Sequence, residues 1–120
     1  MPLNAGEARD VLVDAQQSVV DSGALVTVVA MIGKSNDSFI AARNVPLSSF
    51  TSKGLGIDAK NFDAGTEENT GNVEDLNATS HPVAVVEGKI SYDRGLNPNG
   101  NAPEILRWGS VAADVTFFKL

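Results

Sequence analysis

Residues 24–32 constrain the fold more than any other segment, because eight of these nine residues are apolar and a glycine stands on either side. Nine residues suit a β-strand better than a buried helix, and the valines at positions 26, 28 and 29 are β-branched and favour strands. A continuous apolar run without polar alternation is typical of a strand that is buried on both faces. We therefore predict a strand at residues 24–32, in the centre of a sheet.

Four further segments have the composition of strands. They are rich in β-branched and aromatic residues or alternate apolar with polar side chains. These segments are residues 39–45, 55–62, 82–90 and 111–120. Turn-forming residues separate them, with 11 Gly and 5 Pro in 120 residues. Short strands between regular turns indicate an all-β sandwich or barrel, and the length suits one domain covering residues 1–120.

The N-terminal segment permits two interpretations. Residues 8–14 are short and contain Val11 and Val13, which favours a strand. The same region also fits a helix over residues 7–20, because Val11, Leu12, Ala15 and Val19 would form one apolar stripe. Local sequence does not decide between a strand and a helix here.

The charge and composition exclude several classes of function. The net charge is −6, the chain has no cysteine, and no stretch of 18 apolar residues is present. An acidic chain is a poor electrostatic partner for nucleic acid or anionic membrane and suits a cation or a basic partner. Without cysteine there are no disulfides or thiolate metal sites. No membrane span is expected, and the first residues do not resemble a signal peptide.

Two acidic motifs point to a cation site. Asp37 and Asp63 each stand at the end of a β-prone segment, and folding could bring their carboxylates together. Asp63 opens an acidic loop over residues 63–80 that contains Glu67 and Glu68 but no Lys or Arg. Clustered carboxylates favour a hard cation such as calcium, which binds oxygen ligands. The alternative is that both aspartates are turn residues that hydrogen-bond to nearby backbone.

These motifs resemble the spondin domain family, most closely its bacterial branch. The first family motif corresponds to residues 31–41 and the second, with the sequence Asp-Ala-Gly-Thr-Glu, to residues 62–69. The third is a tryptophan followed by a valine-rich strand, at residues 107–116. The order and approximate spacing of the motifs agree from about Asn4 to the C-terminus. Ser38 and Phe62 depart from the family pattern, and the family's first one or two strands have no counterpart here.

The resemblance implies a fold and a metal site. The implied fold is an antiparallel β-sandwich of about seven strands, similar to calcium-and-lipid-binding sandwich modules. The implied metal is Ca2+, bound by the carboxylates of Asp37 and Asp63 and by the backbone carbonyl of Ala59. Glu67 and Glu68 are nearby in sequence and could join the ligands.

The functional prediction is a non-enzymatic, calcium-binding module for adhesion or recognition. We expect it outside the cytoplasm, in the periplasm or at the cell surface, where it would bind a surface glycan or a protein. His81 is the only histidine, and no Gly-x-Ser-x-Gly sequence accompanies the serines, which argues against a hydrolase. The alternative function is a structural subunit that self-assembles by strand addition at an open sheet edge, with residues 1–6 as donor.

Overall fold

A computed structural model describes residues 2–76 and 88–120, and its main feature is one antiparallel sheet of five strands. The regular elements are α1 Gln17–Asp21, β1 Leu25–Met31, β2 Ser38–Pro46, β3 Leu55–Asp63, β4 Ser91–Tyr92 and β5 Val111–Phe117. Short 3-10 helices lie at Leu47–Ser49, Val73–Asp75 and Glu104–Leu106. The prediction of an all-β chain is confirmed. The described residues contain one sheet, so the seven-stranded sandwich is not confirmed.

The order of the strands gathers most loops at one end of the sheet. β1, β2 and β3 are neighbours in that order, and both β4 and β5 pair with the far edge of β3. β5 runs along the first part of β3, and β4 pairs only with Phe62 and Asp63. Because every pair is antiparallel, β1 and β3 end where β2, β4 and β5 begin. We call this side of the sheet the loop end.

One face of the sheet carries the main apolar core. Ala42, Val45, Ala59 and Phe117 are buried there, and Phe50 stacks on Phe117 with 4.7 Å between ring centroids. The apolar side chains that surround this cluster are only partly buried: Val26, Val28, Ile40, Leu55, Ile57, Ala113 and Val115. The described residues therefore cover this face incompletely.

A row of aromatic rings crosses the other face near the loop end. Phe39, Phe62 and Tyr92 occupy paired positions on β2, β3 and β4. Their rings stack at 5.4 Å and 5.0 Å between centroids, and the Arg43 guanidinium lies 4.6 Å from the centre of the Phe62 ring. Such cross-strand stacking stabilises the pairing of the three strands where the loops begin.

The predicted strand at residues 24–32 is present as β1, but the described residues do not show it in the centre of the sheet. Among these residues β1 pairs only with β2 and is the outer strand of their sheet. Leu25, Val29 and Met31 are exposed. The more mixed segment β2 occupies the centre instead, because it pairs on both sides. The apolar content of a segment indicates how much burial its side chains can accept, but it does not determine which strands lie beside it. Strand order depends on pairing between segments that are distant in the sequence.

Both interpretations of the N-terminal segment are wrong. Residues 8–14 belong to no regular element, and the helix is limited to Gln17–Asp21. Strands at residues 39–45, 55–62 and 111–120 are confirmed as β2, β3 and β5. The predicted strand at residues 82–90 lies mostly outside the described residues, and β4 was not predicted. No helix in residues 2–76 and 88–120 is long and apolar enough to cross a membrane.

A second, smaller core supports the loop end. Leu76, Leu96 and Ala102 are buried together, and Leu106 and Trp108 pack against them. All five belong to loops or to a short 3-10 helix. The loops at this end are therefore held by their own apolar contacts as well as by the sheet.

Asn44 allows a direct test of the β1–β2 pairing. Pairing shifts between Val26 and Val28, so Arg43 and Asn44 lie opposite Thr27, and Asn44 adopts a φ of 57°. We predict that Asn44→Val lowers the free energy of unfolding by about 1–2 kcal/mol, because a β-branched residue is strained in this conformation. Asn44→Gly should stay within about 0.5 kcal/mol of the wild type. Denaturant unfolding measures both, and equal losses in the two variants would contradict the bulge.

Candidate functional site

The sheet register places the two acidic motifs side by side at the loop end. Ser38, the first residue of β2, pairs with Asp63, the last residue of β3. Asp37 therefore lies next to the start of the loop that follows Asp63. The backbone N–H of Ala64 donates to the backbone carbonyl of Asp37 at 3.3 Å, which extends the contact beyond the strands.

The Asp37 carboxylate anchors the loop that follows β3. Asp37 is only 5% exposed. Its Oδ2 accepts hydrogen bonds from the Thr66 backbone N–H at 2.5 Å, the Thr66 hydroxyl at 2.7 Å and the Glu67 backbone N–H at 3.0 Å. Its Oδ1 accepts one from the Asn36 amide at 2.9 Å. Hydrogen bonds to an ionised acceptor are stronger than neutral ones, so this carboxylate fixes the loop to β2.

Asp63 shapes the same loop from its other end. Its Oδ1 accepts a hydrogen bond from the Gly65 backbone N–H at 2.7 Å, two residues further along the chain. Gly65 has a φ of 73°, a conformation that glycine adopts without strain. The Asp-Ala-Gly-Thr sequence is therefore explained locally, with Asp63 closing the turn, Gly65 bending it and Thr66 binding Asp37. The turn role considered as the alternative for Asp63 is present in the structure.

Three buried oxygen atoms without hydrogen-bond partners belong to residues that are next to, paired with or two positions from these aspartates. They are the Ser38 hydroxyl and the side-chain carbonyl oxygens of Asn36 and Asn61. Ser38 and Asn61 are each 1% exposed. Ser38 is the cross-strand partner of Asp63, and Asn61 lies on the same face of β3 as Asp63 because side chains alternate along a strand. Buried oxygens normally have a partner, so a water or a cation at this place would satisfy them.

Negative charge accumulates around Asp37. Burial first, and then the neighbouring Asp37 carboxylate, raise the pKa of Glu67 above its ordinary value. The ion pairs found within the described residues, Lys60–Asp58 and Arg107–Glu104, do not involve Asp37 or Glu67. A positive ion would relieve this repulsion, and the donor set of carboxylate, hydroxyl and amide oxygens suits a hard cation.

The other predicted ligands are Ala59 and Glu68. Ala59 lies in the middle of β3, four residues before Asp63, and four residues of extended strand span about 13 Å. An ion bound by the Asp63 carboxylate would thus be far from the Ala59 carbonyl. Glu68 follows Glu67 and is exposed. Within residues 2–76 and 88–120, no group of three or more His, Cys, Asp or Glu side chains is arranged to hold a metal.

Sequence reasoning missed a third buried acid, Asp93. Its Oδ1 accepts from the Gly95 backbone N–H at 2.8 Å and its Oδ2 accepts from the Trp108 indole N–H at 3.1 Å. Its own backbone N–H donates to the Asn61 carbonyl at 3.0 Å. Asp93 thereby links β3, the loop after β4 and the segment before β5. A signal was available, because Asp93-Arg94-Gly95 repeats the Asp-x-Gly spacing of Asp63-Ala64-Gly65.

A shallow cavity of about 340 Å³ adjoins the anchored loop. One side is formed by Ala64, Gly65 and Thr66, and the other by Gly88, Lys89 and Ile90. The wall that belongs to the loop owes its position to the hydrogen bonds of Asp37 and Asp63. Any change that loosens these bonds would change the shape of the cavity.

Comparison with known proteins adds no assignment. No family model, curated protein or solved structure matches the chain. The spondin resemblance therefore rests on the motifs alone and stays a prediction.

The anchoring role of Asp37 can be tested by mutation. We predict that Asp37→Ala lowers the free energy of unfolding by about 3 kcal/mol, because two backbone N–H groups and one hydroxyl lose their acceptor. Thr66→Val removes only the hydroxyl donor and should cost about 1 kcal/mol. Denaturant unfolding in the presence of a chelator measures these losses of stability without any contribution from a bound cation. Equal losses in Asp37→Ala and Thr66→Val would contradict the anchoring role.

The raised pKa of Glu67 predicts a pH-dependent effect. Its stabilising contribution is fully present below pH 4.5, the ordinary pKa, and is lost as pH rises through the higher pKa of the folded state. Without divalent cations, Glu67→Gln should therefore melt at a higher temperature than the wild type at pH 7, with a gap that closes below pH 4.5.

Thermal unfolding between about pH 4 and pH 8 measures this gap. Glu68→Gln is the control, because it removes one charge from an exposed neighbour. A gap of equal size in both variants would show that general charge repulsion in the loop, rather than the surroundings of Glu67, causes the effect.

Proposed function

We propose that this protein is a non-enzymatic recognition module whose loop end is stabilised by calcium. The observation that carries the proposal is the pairing of Ser38 with Asp63, which sets two aspartates beside buried oxygens that have no partner. The acidic loop and the raised pKa of Glu67 support a cation there. The proposed ligands remain Asp37 and Asp63, with Glu67 and the hydroxyl of Ser38 as neighbours able to join them.

The ligand set points to weak binding. Calcium takes six to eight oxygens, and a carboxylate has about four lone-pair positions. Asp37 already accepts four hydrogen bonds, so it has little capacity left for an ion. Much of the coordination would then come from neutral oxygens and water. Such sites bind calcium with dissociation constants of about 10⁻⁴–10⁻³ M, which suits the calcium concentrations outside cells.

The ion would act on structure first and on recognition second. It would hold the end of β3 and the start of β2 together and reinforce the loop that Asp37 already anchors. The cavity beside this loop, with Lys89 on its other wall, is the surface on which a glycan or protein partner would be bound. We propose an extracytoplasmic location because the affinity expected for the site and the family resemblance agree on it.

We also keep the two-sheet sandwich as part of the proposal. The core face of the sheet carries apolar side chains that the described residues cover only partly, among them Val28, Ile57 and Val115. A second layer would complete their burial, as in other domains built from packed sheets.

Calcium should raise the melting temperature of the wild type. At a calcium concentration ten times the dissociation constant, stabilisation is about 1.4 kcal/mol. This amounts to a shift of about 5 °C for a domain of this size. Asp63→Asn should abolish most of the shift, because the amide keeps the acceptor for Gly65 N–H but lacks the charge. The measurement is thermal unfolding with calcium and with a chelator.

Asp114→Asn is the matched control. It removes the same charge from an exposed position on β5, opposite Asp58 and away from the aspartate pair at the loop end. The control should keep the calcium shift of the wild type. A wild-type melting temperature that responds to neither calcium nor chelator would defeat the proposal, as would an equal loss of the shift in both variants.

A further inference from the structure

The outer edge of β1 carries neither charges nor prolines, two features that usually protect an edge strand. β1 has seven residues, none of which is charged or proline. Within residues 2–76 and 88–120, it pairs only with β2, so one row of its backbone N–H and C=O groups has no strand partner. Proteins usually shield such edges with charges, prolines, bulges or a covering segment. A long, apolar and uncharged edge indicates that another strand covers it.

The N-terminal segment has the composition of such a strand. Val11, Leu12 and Val13 are 82%, 74% and 76% exposed, and residues 8–14 belong to no regular element. Three consecutive apolar residues in contact with water are unfavourable, since burying each would contribute hydrophobic free energy. The segment contains no proline or glycine that would weaken a strand.

The two segments match in their side-chain patterns. In an added strand, Val11 and Val13 would point to one face and Leu12 to the other. β1 offers partly buried apolar side chains, Val26 and Val28, on its core face. On its other face Leu25, Val29 and Met31 are exposed. Either face of the added strand would thus meet apolar partners.

We propose that residues 8–14 of one copy pair with the outer edge of β1 in a second copy. A reciprocal exchange uses the same two segments twice and gives a closed, two-fold dimer. The inference extends beyond the calcium proposal, because neither segment contains Asp37, Asp63 or Glu67. It also moves the expected donor from residues 1–6 to residues 8–14.

The connection within one chain favours a partner copy. Only ten residues, 15–24, separate the segment from β1, and five of them form α1. The backbone of α1 is held by local hydrogen bonds, among them Ser22 N–H to the Ser18 carbonyl at 3.1 Å. For residues 8–14 to fold back along their own β1, the ten-residue connection would have to change its conformation, which α1 already fixes. A second copy can approach the edge of β1 without such a change.

Light scattering after size exclusion, over a range of protein concentrations and with chelator present, tests the proposal. The wild type should move from the monomer mass of 12.5 kDa towards twice that value as concentration rises. Leu12→Lys should raise the dimer dissociation constant at least about tenfold, because a charge replaces an apolar contact. Ile105→Lys changes a side chain that is 89% exposed and belongs to neither of the two segments, and should leave the dimer intact.

A crosslinking experiment tests which segments meet. The natural chain has no cysteine, so single Leu12→Cys and Val29→Cys variants can be joined only at the chosen positions. A mixture of the two variants, treated with a short bifunctional thiol reagent, should give a crosslinked dimer that contains one copy of each. A mixture of Ile105→Cys and Val29→Cys should give much less.

The outcomes separate clearly. A wild type that stays monomeric at the highest concentration overturns the proposal. A dimer that withstands Leu12→Lys, or that Ile105→Lys weakens equally, places association on another surface and also overturns it. Selective weakening by Leu12→Lys together with Leu12→Cys–Val29→Cys crosslinks supports it. None of these results depends on calcium binding.

Discussion

The hydrogen bonds accepted by the Asp37 carboxylate are the interaction on which the loop end depends. One buried oxygen receives two backbone N–H groups and one hydroxyl from Thr66 and Glu67. These bonds fix the loop after β3 against the start of β2. Together with the turn that Asp63 closes, they position the cavity wall at Ala64–Thr66 and the surroundings of Glu67. Removing the Asp37 carboxylate would loosen the loop even though the sheet pairing remained.

The aspartates at this end of the sheet stabilise the loops and also concentrate negative charge there. Asp63 and Asp93 each close an Asp-x-Gly turn. Asp37, just before β2, binds the loop that follows β3. Anchoring loops through ionised acceptors brings negative charge into a small volume, where Glu67 has a raised pKa. A cation would offset that cost, so the turn interpretation and the calcium interpretation of these aspartates are compatible.

The sequence predicted local features well and long-range ones poorly. The strands β1, β2, β3 and β5 and the importance of the Asp-Ala-Gly-Thr segment followed from apolar patterns and turn chemistry, which act over a few residues. The outer position of β1 and the exposed residues 8–14 could not be predicted, because strand order depends on pairing between distant segments. Asp93 was overlooked because β4 has only two residues and leaves no apolar pattern.

The most direct test of the calcium proposal is a titration followed by amide NMR. On addition of calcium, the backbone signals of residues 37, 38 and 63–67 should shift together along one saturable binding curve. Signals from β1 and from the exposed acids Asp58 and Asp114 should change little. Shifts spread evenly over exposed carboxylates, or an unchanged spectrum at the loop end, would contradict a calcium site beside Asp37 and Asp63.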